Sequence, residues 1–334
     1  MMRSTDAPAL VCYRNDPQVA KHQLWSLPFT IDQARQMLAN QDDPAADLSV
    51  GGAYQLAIER DGTVIGDVFT SIDATGGVAE IGFTLLADEQ GNGYATEAAA
   101  AVVEAMFEKI GVGRVYGELD PANVASQRTL ERLGLVFEAH TKASFLWRGE
   151  WTDNLSYAAT GDDYTRWRDR PRHRPTAIRL IELDHANHRR YAALRTHYSQ
   201  RGFVASVEQS FGDALYPPPG NDGAPFRPWL RGIEADGEPV GFVMTTEPTA
   251  SDPEPYLWRL LIDRLHQRRG IGSAVVDQLC SDWATAGVDS AIVTWIEGPG
   301  SPAPMYTALG FVPTGELDGE EIVARRVLRR VPAE

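Results

Sequence analysis

Two short segments of this chain have residue types and spacing suited to binding a phosphate group. They are Gln90-Gly91-Asn92-Gly93-Tyr94-Ala95 and Gln267-Arg268-Arg269-Gly270-Ile271-Gly272. Each follows a strand-like apolar run, at 81–86 or 257–262, and each opens an Ala- and Val-rich segment with helical spacing. A glycine turn between a strand and a helix exposes backbone N–H groups at the positive end of the helix dipole, which suits a phosphate. Because the pattern occurs twice in one context, it predicts one fold used twice, with a phosphate-bearing ligand in at least one copy.

The remaining pattern predicts two similar units of mixed α/β structure, an α+β arrangement around a mixed sheet. In the first half we expect helices at 31–38, 96–110 and 125–133, and strands at 54–59, 64–70, 78–86, 115–119 and within 146–159. In the second half we expect helices at 186–198, 273–286 and 303–309, strands at 178–183, 229–234, 240–246, 256–262, 292–296 and after 310, and a proline-rich loop at 215–229. So long a loop is uncommon without a purpose and is a candidate cover for a substrate cleft.

Between the halves, residues 161–175 alternate arginine with other residues and contain Pro171 and Pro175. This composition predicts a stiff, extended, solvated linker rather than a helix. The predicted domains are therefore an N-terminal one at 1–160 and a C-terminal one at 176–334. Packing of this Arg/Pro-rich linker on an acidic surface is the role we favour, and RNA binding by its arginines is the alternative.

Composition narrows the class of protein. A length of 334 residues fits two domains, and 43% apolar and 23% charged residues are typical of a globular protein. The apolar runs are too short to cross a bilayer, no signal-peptide pattern opens the chain, and Cys12 and Cys280 form no metal or disulfide motif. We therefore expect a cytoplasmic protein. The net charge of −15 disfavours nucleic acid and membrane partners. Solubility alone explains this charge, and attraction of a cationic ligand is the alternative.

These features resemble the GNAT superfamily of acyl-CoA-dependent N-acetyltransferases, once in each half. The family's turn is Gln/Arg-x-x-Gly-x-Gly/Ala, which both glycine turns match. The first half resembles ribosomal-protein alanine and some antibiotic acetyltransferases in Asn123-Val124-Ala125-Ser126, in residues 130–135, and in Asp16-Pro17-Gln18-Val19-Ala20 with Trp25. The second half resembles bacterial spermine/spermidine acetyltransferases in Phe203-Val204-Ala205, in residues 258–263 and 305–311, and in Thr314-Gly315-Glu316.

The resemblance has three departures. In the first half, residues 8–14 are too short for the family's full opening strand, so this strand is expected to be shortened or missing. In the second half, residues 299–301 replace the family's usual Asn before the last helix. Trp258 and Arg259 fill the places of the strand carboxylate that many amine acetyltransferases use as a base.

The resemblance implies acetyl-CoA (coenzyme A) as the cofactor, with its pyrophosphate held by the two glycine turns. It also implies that the strands flanking each turn splay apart, so that backbone donors near Leu85, Leu261 and Ile262 polarise the thioester carbonyl. Tyr306 matches a tyrosine that lies beside the thioester sulfur in many members, where a phenol protonates the leaving thiolate. The alternative is a tyrosine that only packs its helix.

The first half offers other candidates, because Leu130 stands where a matching tyrosine would be. Asn123 and Ser126 match residues near the cofactor in the resembling branch, and a helix-capping role suits Ser126 equally. Glu80, on the strand before the first turn, is the candidate base, with an exposed strand carboxylate as the alternative. In the second half Glu320 or Glu321 is a candidate partner for a cationic substrate. The histidines are expected at the surface, without a metal site.

We therefore expect a tandem GNAT enzyme, a monomer or homodimer, that acetylates a primary amine of a small cationic substrate by direct attack. A polyamine or an amino-sugar or peptide antibiotic fits that description, and the second half is the expected catalyst because it holds Tyr306. One alternative is an acyl-CoA-binding scaffold or sensor in which one or both halves are inactive. Another is a protein N-terminal acetyltransferase.

Overall fold

The computed structural model describes residues 1–41, 48, 51–147 and 149–328. The chain forms two compact units, Met1–Asp169 (unit 1) and Arg170–Glu334 (unit 2). Each contains one mixed β-sheet with helices packed against it. No helix within the described residues has the length and apolar character needed to cross a membrane.

Unit 1 is built on a six-stranded sheet. Its helices are α1 Ala7–Arg14, α2 Pro17–Ala20, α3 Ile31–Leu38, α4 Tyr94–Ala105, α5 Val124–Arg132 and α6 Gly161–Arg168. Its strands are β1 Gly52–Arg60, β2 Thr63–Ile72, β3 Val78–Leu85, β4 Arg114–Leu119, β5 Val136–Trp147 and β6 Glu150–Thr160. The sheet order is β1-β2-β3-β4-β6-β5, and β3 and β4 are parallel while the other neighbours are antiparallel.

Unit 2 repeats this order and adds one strand. Its helices are α7 His188–Ala192, α8 Val207–Leu215, α9 Ile271–Thr285 and α10 Ala303–Ala308. Its strands are β7 Ile178–Glu182, β8 Pro228–Ala235, β9 Glu238–Thr246, β10 Tyr256–Ile262, β11 Ser290–Trp295, β12 Val312–Asp318 and β13 Glu321–Val327. The sheet order is β12-β13-β11-β10-β9-β8-β7, with β10 and β11 parallel. The predicted use of one fold twice is therefore confirmed.

The opening strand differs between the units. Unit 2 begins its sheet with β7, whereas residues 8–14 of unit 1 belong to helix α1, so the prediction of a missing strand there is confirmed. Helix α1 packs against α3 and β2, and its buried Ala7, Leu10 and Tyr13 form a core cluster with Leu38.

The prediction of an extended linker over 161–175 is wrong for its first part, because residues 161–168 form helix α6. Thr160 and Asp163 close a capping box at its start, and Tyr164 stacks on Phe107 with ring centroids 4.7 Å apart. Arg168 forms an ion pair with Glu108 at 2.9 Å. The alternating arginines gave no helical signal. The helix ends at Arg168, before the first proline of the segment.

Two predictions in unit 2 also need correction. The helix expected at 186–198 is limited to α7, five residues long, and a helix that the pattern did not predict, α8, precedes the proline-rich loop. Ser206 caps α8 by accepting a hydrogen bond from the Gln209 N–H at 3.2 Å. In unit 1 the prediction places the last strands within 146–159, but only β6 fits that range, because β5 already begins at Val136. The remaining predicted elements lie where the hydrophobic periodicity placed them, with ends shifted by a few residues.

Candidate active site

Both glycine turns have the same backbone construction. Gly93 precedes α4 with φ +89°, and Gly270 precedes α9 with φ +77°, in the left-handed region that favours glycine. In each turn the glutamine bends back to the strand: Gln90 Nε2 donates to the Leu85 carbonyl at 3.3 Å, and Gln267 Nε2 donates to the Ile262 carbonyl at 3.0 Å. The turn is thus fixed to its strand while its N–H groups stay at the helix start.

The parallel strands beside each turn separate before they reach it. In unit 1 the pairing of β3 with β4 ends at Glu80, and in unit 2 the pairing of β10 with β11 ends at Leu257. The remaining residues of β3 and β10 pair on one side only, with β2 and β9. Each unit therefore has an open strand edge that leads to its glycine turn, as the resemblance implied.

Alternation along the strands identifies which N–H groups face that edge. Asp263 N–H donates to Val240 of β9, so Leu261, two residues earlier, also faces β9, while Leu260 and Ile262 face the open edge. Of the two predicted donors in unit 2, Leu261 therefore directs its N–H toward β9, whereas Ile262 faces the open edge. In unit 1 the Leu86 N–H donates to Ile65 of β2, which leaves Phe83 and the predicted Leu85 facing the open edge.

Unit 2 has a cavity of about 510 Å³ beside its turn. It is lined by Ile262, Gln267, Arg268, Gly270, Ile271 and Gly272, together with Leu260, Met305 and Tyr306. Tyr306 is buried, stacks on Trp295 with centroids 6.0 Å apart, and meets Phe311 edge-on. Among the described residues none forms a hydrogen bond with its hydroxyl, and burial, followed by the nearby Tyr256, raises the pKa of Tyr306. The phenol therefore keeps its proton at neutral pH.

A second cavity of unit 2, about 420 Å³, shares Trp258 and Arg259 with the first. Asp318, Glu320 and Glu321 give it an acidic wall, and Pro218 and Phe226 of the predicted cover loop also line it. Thr294, on the wall of the first cavity, donates a hydrogen bond to Glu321, and Tyr256 is bonded to Thr294 at 2.7 Å. The sequence proposed Glu321 but gave no sign of this chain of groups, because it joins three strands.

Unit 1 has a larger cavity of about 660 Å³ at its open edge. Its acidic residues come from strands β2, β3, β4 and β6 or their ends: Asp67, Glu80, Glu118, Asp120 and Asp153. Phe83 of the open edge and the aromatic side chains of Trp25, Phe69, Phe145 and Trp147 complete much of the wall. Glu80, the predicted base, accepts hydrogen bonds from Ser71 at 3.4 Å and Tyr116 at 3.3 Å. The cavity is suited to a cationic group with an apolar stem.

Sequence reasoning missed a His–Asp pair in this cavity. His22 Nδ1 lies 2.8 Å from Asp120 Oδ2, and the other oxygen of Asp120 accepts from the Ala122 N–H at 2.8 Å. A carboxylate that holds one imidazole nitrogen leaves the other free to accept a proton. The two residues are far apart in the chain, at the end of α2 and the end of β4, so spacing alone gave no signal.

Comparison with known proteins agrees with this architecture. Residues 1–136 match the acetyltransferase (GNAT) domain, and residues 179–311 match the acetyltransferase (GNAT) family. The uncharacterized N-acetyltransferase p20 of Bacillus licheniformis is 32% identical over 142 residues, which cover 41% of this chain and 77% of p20. The chain belongs to the GNAT acetyltransferase family.

Solved GNAT structures align with about half of the chain. The ribosomal-protein-S5-alanine acetyltransferase of Vibrio fischeri is 23% identical, with a TM-score of 0.43, and the alignment covers 49% of this chain and 92% of that one. The spermidine N-acetyltransferase of Vibrio cholerae in complex with CoA and spermine is 16% identical, also with a TM-score of 0.43, over 49% of this chain and 95% of that one.

Acetyl-CoA is the acyl donor of GNAT acetyltransferases, and the residues of unit 2 fit it. A cavity there joins the turn's helix-start N–H groups to an open strand edge and a buried phenol. A Cβ on Gly270 would lie 3.4 Å from Arg174 Nε, so this guanidinium also lies beside the turn. Arg174 was assigned to the linker by its composition, and no turn motif marks it.

Three predicted cofactor contacts have other roles in the structure. The Arg269 side chain is buried and donates to the His173 carbonyl at 2.8 Å, so it fastens the chain before β7 instead of facing the cavity. Asn123 caps α5 by accepting from the Ser126 N–H at 3.1 Å, so Asn123, not Ser126, is the capping residue. In the first turn Asn92 Nδ2 donates to the Glu89 carbonyl at 3.3 Å, and Tyr94 begins α4 with Ala95.

Proposed function

We propose that this GNAT protein transfers the acetyl group of acetyl-CoA to a primary amine of a small cationic molecule, with unit 2 as one catalytic site. The observation that carries the proposal is that one cavity of unit 2 brings together the glycine turn, the open edge of β10 and Tyr306, whose hydroxyl has no hydrogen-bond partner among the described residues. These three features are suited, in that order, to the pyrophosphate, the thioester carbonyl and the sulfur of acetyl-CoA.

Each residue of this site has one role in the proposal. The turn at 267–272 binds the pyrophosphate through N–H groups at the start of α9. The N–H groups of Leu260 and Ile262 hydrogen-bond the carbonyl oxygen, and Tyr306 donates its proton to the leaving sulfur. Bound acetyl-CoA supplies an activated acyl group as a thioester.

The proton of the attacking amine needs an acceptor. Glu321 fits this role because its carboxylate lies on the second cavity and is bonded to Thr294 of the first. An ammonium group with a pKa of about 10 must lose a proton before it attacks, and a carboxylate acting directly or through a hydroxyl assists that step. This replaces the strand carboxylate whose place Trp258 and Arg259 occupy.

The acidic walls of both units support a cationic acceptor. Asp318, Glu320 and Glu321 line the second cavity of unit 2, and five acidic side chains line the cavity of unit 1. Such walls raise the local concentration of cations and hold an ammonium group near the donor. In unit 1 we assign the base role to His22, oriented by Asp120, or to Glu80.

The alternative is an acyl-CoA-binding module without turnover, and one observation favours it for unit 1. The position of Tyr306 is taken there by Leu130, which is buried and cannot donate a proton. The test is release of coenzyme A with a panel of polyamines, amino sugars and short peptides. If calorimetry shows that acetyl-CoA binds to folded protein while no amine releases coenzyme A, the enzyme proposal fails and the binding module stands.

A further inference from the structure

Arg14 is a buried cation whose guanidinium has no hydrogen-bond acceptor within the described part of the chain. It ends helix α1, is 6% exposed, and its Nε is enclosed without a partner. The guanidinium carbon lies 4.5 Å from the centroid of Trp25 and 4.9 Å from that of Phe29. These rings hold the guanidinium and accept no conventional hydrogen bond.

Arg14 lines the unit 1 cavity together with two other buried polar residues. Gln55, 5% exposed, leaves its Oε1 without a donor among the described residues. Asp67, 1% exposed, accepts a hydrogen bond from the Tyr13 hydroxyl at 2.5 Å. Burial raises the pKa of Asp67, although Arg14 and Tyr13 oppose that shift. Buried donors and acceptors are normally paired, so an unpaired donor and an unpaired acceptor on one wall indicate a ligand with both functions.

This polar group, which includes Asp67, lies apart from the other four acidic residues of the cavity. Gln55 and Asp67 are on β1 and β2, whereas Glu80, Glu118, Asp120 and Asp153 come from β3, β4 and β6. The open edge, where acetyl transfer would occur, lies between β3 and β4. Since neighbouring strands are about 4.8 Å apart, β2 lies about one and a half strand spacings from this edge and β1 about two and a half, a separation of roughly 7–12 Å.

We infer that Arg14 and Gln55 form a carboxylate subsite in the acceptor cavity of unit 1. The Arg14 guanidinium packs against two rings and lines the cavity, and a guanidinium offers its N–H groups in a planar fork that matches a carboxylate. Gln55 Oε1 is able to accept an N–H next to that carboxylate. The acceptor is then an amine that also carries a carboxylate with a neighbouring N–H, roughly 7–12 Å from the reacting nitrogen. The side-chain amine of a diamino acid and the N-terminus of a short peptide share this chemistry. The inference rests on the proposed amine acetylation.

The test compares amines that differ only in the carboxylate. Lysine is paired with cadaverine, ornithine with putrescine, and Ala-Ala with its C-terminal amide, in an assay of coenzyme A release by the full chain. We expect kcat/KM to be at least about 10-fold higher for one carboxylated class, mainly through KM, because charge-assisted hydrogen bonds bind the substrate. A preference for lysine and ornithine would identify a diamino acid as the acceptor, and a preference for Ala-Ala would identify a peptide N-terminus.

Variants assign the preference to the subsite. Arg14→Gln should abolish the carboxylate preference, and Arg14→Lys should retain part of it, since a point charge remains without the planar fork. Gln55→Leu should lower the preference for lysine over 6-aminohexanoate, which lacks the neighbouring N–H. Arg35→Gln, at an exposed arginine of α3, is the matched control and should change nothing.

Several results would overturn the inference. Equal kcat/KM within every pair in the Tyr306→Phe chain, where turnover by unit 2 is reduced, overturns the inference even if Arg14→Gln fails to fold. If folded Arg14→Gln prefers carboxylated amines as strongly as wild type does, the inference is also overturned. If cadaverine and putrescine are acetylated without a preference, the subsite fails while the proposed function stands. If no amine releases coenzyme A, the proposed function fails. Calorimetry then tests the subsite alone, and equal or absent binding heats for lysine and cadaverine reject it.

Discussion

Replacement of Tyr306 by phenylalanine separates catalysis from packing in unit 2. The aromatic ring stacks on Trp295 and meets Phe311 edge-on, and these contacts remain in Tyr306→Phe. Within the described residues the hydroxyl has no hydrogen-bond partner, so its removal breaks no internal bond. A buried hydroxyl that does lose a partner costs about 1–3 kcal/mol. We therefore expect the free energy of unfolding to stay within about 1 kcal/mol of wild type, or to rise.

Activity should respond differently. A general acid typically contributes about 10²–10⁴-fold to the rate, so Tyr306→Phe should lower the kcat of unit 2 by about 10²-fold or more while acetyl-CoA still binds. Burial raises the pKa of Tyr306, so the wild-type phenol stays protonated and its ionisation causes no loss of kcat between neutral pH and about pH 10. The assay is coenzyme A release, and any rate that remains sets an upper limit on turnover by unit 1.

The control is Tyr191→Phe, at a buried tyrosine of the same unit that does not line the cavity. It should leave kcat unchanged. An unchanged kcat in Tyr306→Phe would show that Tyr306 only packs its helix. A loss of several kcal/mol in stability would show that its hydroxyl has a structural partner, and the reasoning from an unpartnered phenol would then be refuted.

Three further predictions concern the turns and the cavity of unit 1. Calorimetry should find two acetyl-CoA sites in the wild-type chain and one in either Gly93→Val or Gly270→Val, because valine disfavours φ near +80°. The control Gly287→Val has a φ of +83° away from both turns and should keep two. In a Tyr306→Phe background, His22→Ala should lower the remaining kcat about 10²-fold, and equal rates with and without His22 would leave Glu80 as the base. Burial raises the pKa of Asp67, so its stabilising contribution is present below the unfolded pKa of about 3.9 and is lost as pH rises through the folded value. Asp67→Asn should therefore raise the melting temperature at pH 7 and lose that advantage near pH 4, and a gain that does not depend on pH would contradict this.

Local signals in the sequence identified the parts of this fold that depend on neighbouring residues. Glycine at the turns, helical spacing after them and alternation before them predicted a repeated strand–turn–helix, since each feature reflects backbone freedom or the burial of one face. The same signals were misleading at 161–168, where a capping box and aromatic packing form helix α6 despite the alternating arginines. They also could not distinguish Leu261 from Ile262 as the residue at the open edge, because the register shift in β10 after Leu257 leaves no mark in the residue pattern.

By itself, the sequence determined the tandem GNAT fold and its two strand–glycine turn–helix segments, and it identified Tyr306 as the candidate acid. Only the tertiary structure brought together groups that are distant in the chain: His22 with Asp120, Thr294 with Glu321, and Arg14 with Gln55. The physical reason is the range of the forces involved. Turn geometry and periodic burial act over a few residues, whereas hydrogen bonds and charges act through space, between strands whose order no local pattern specifies.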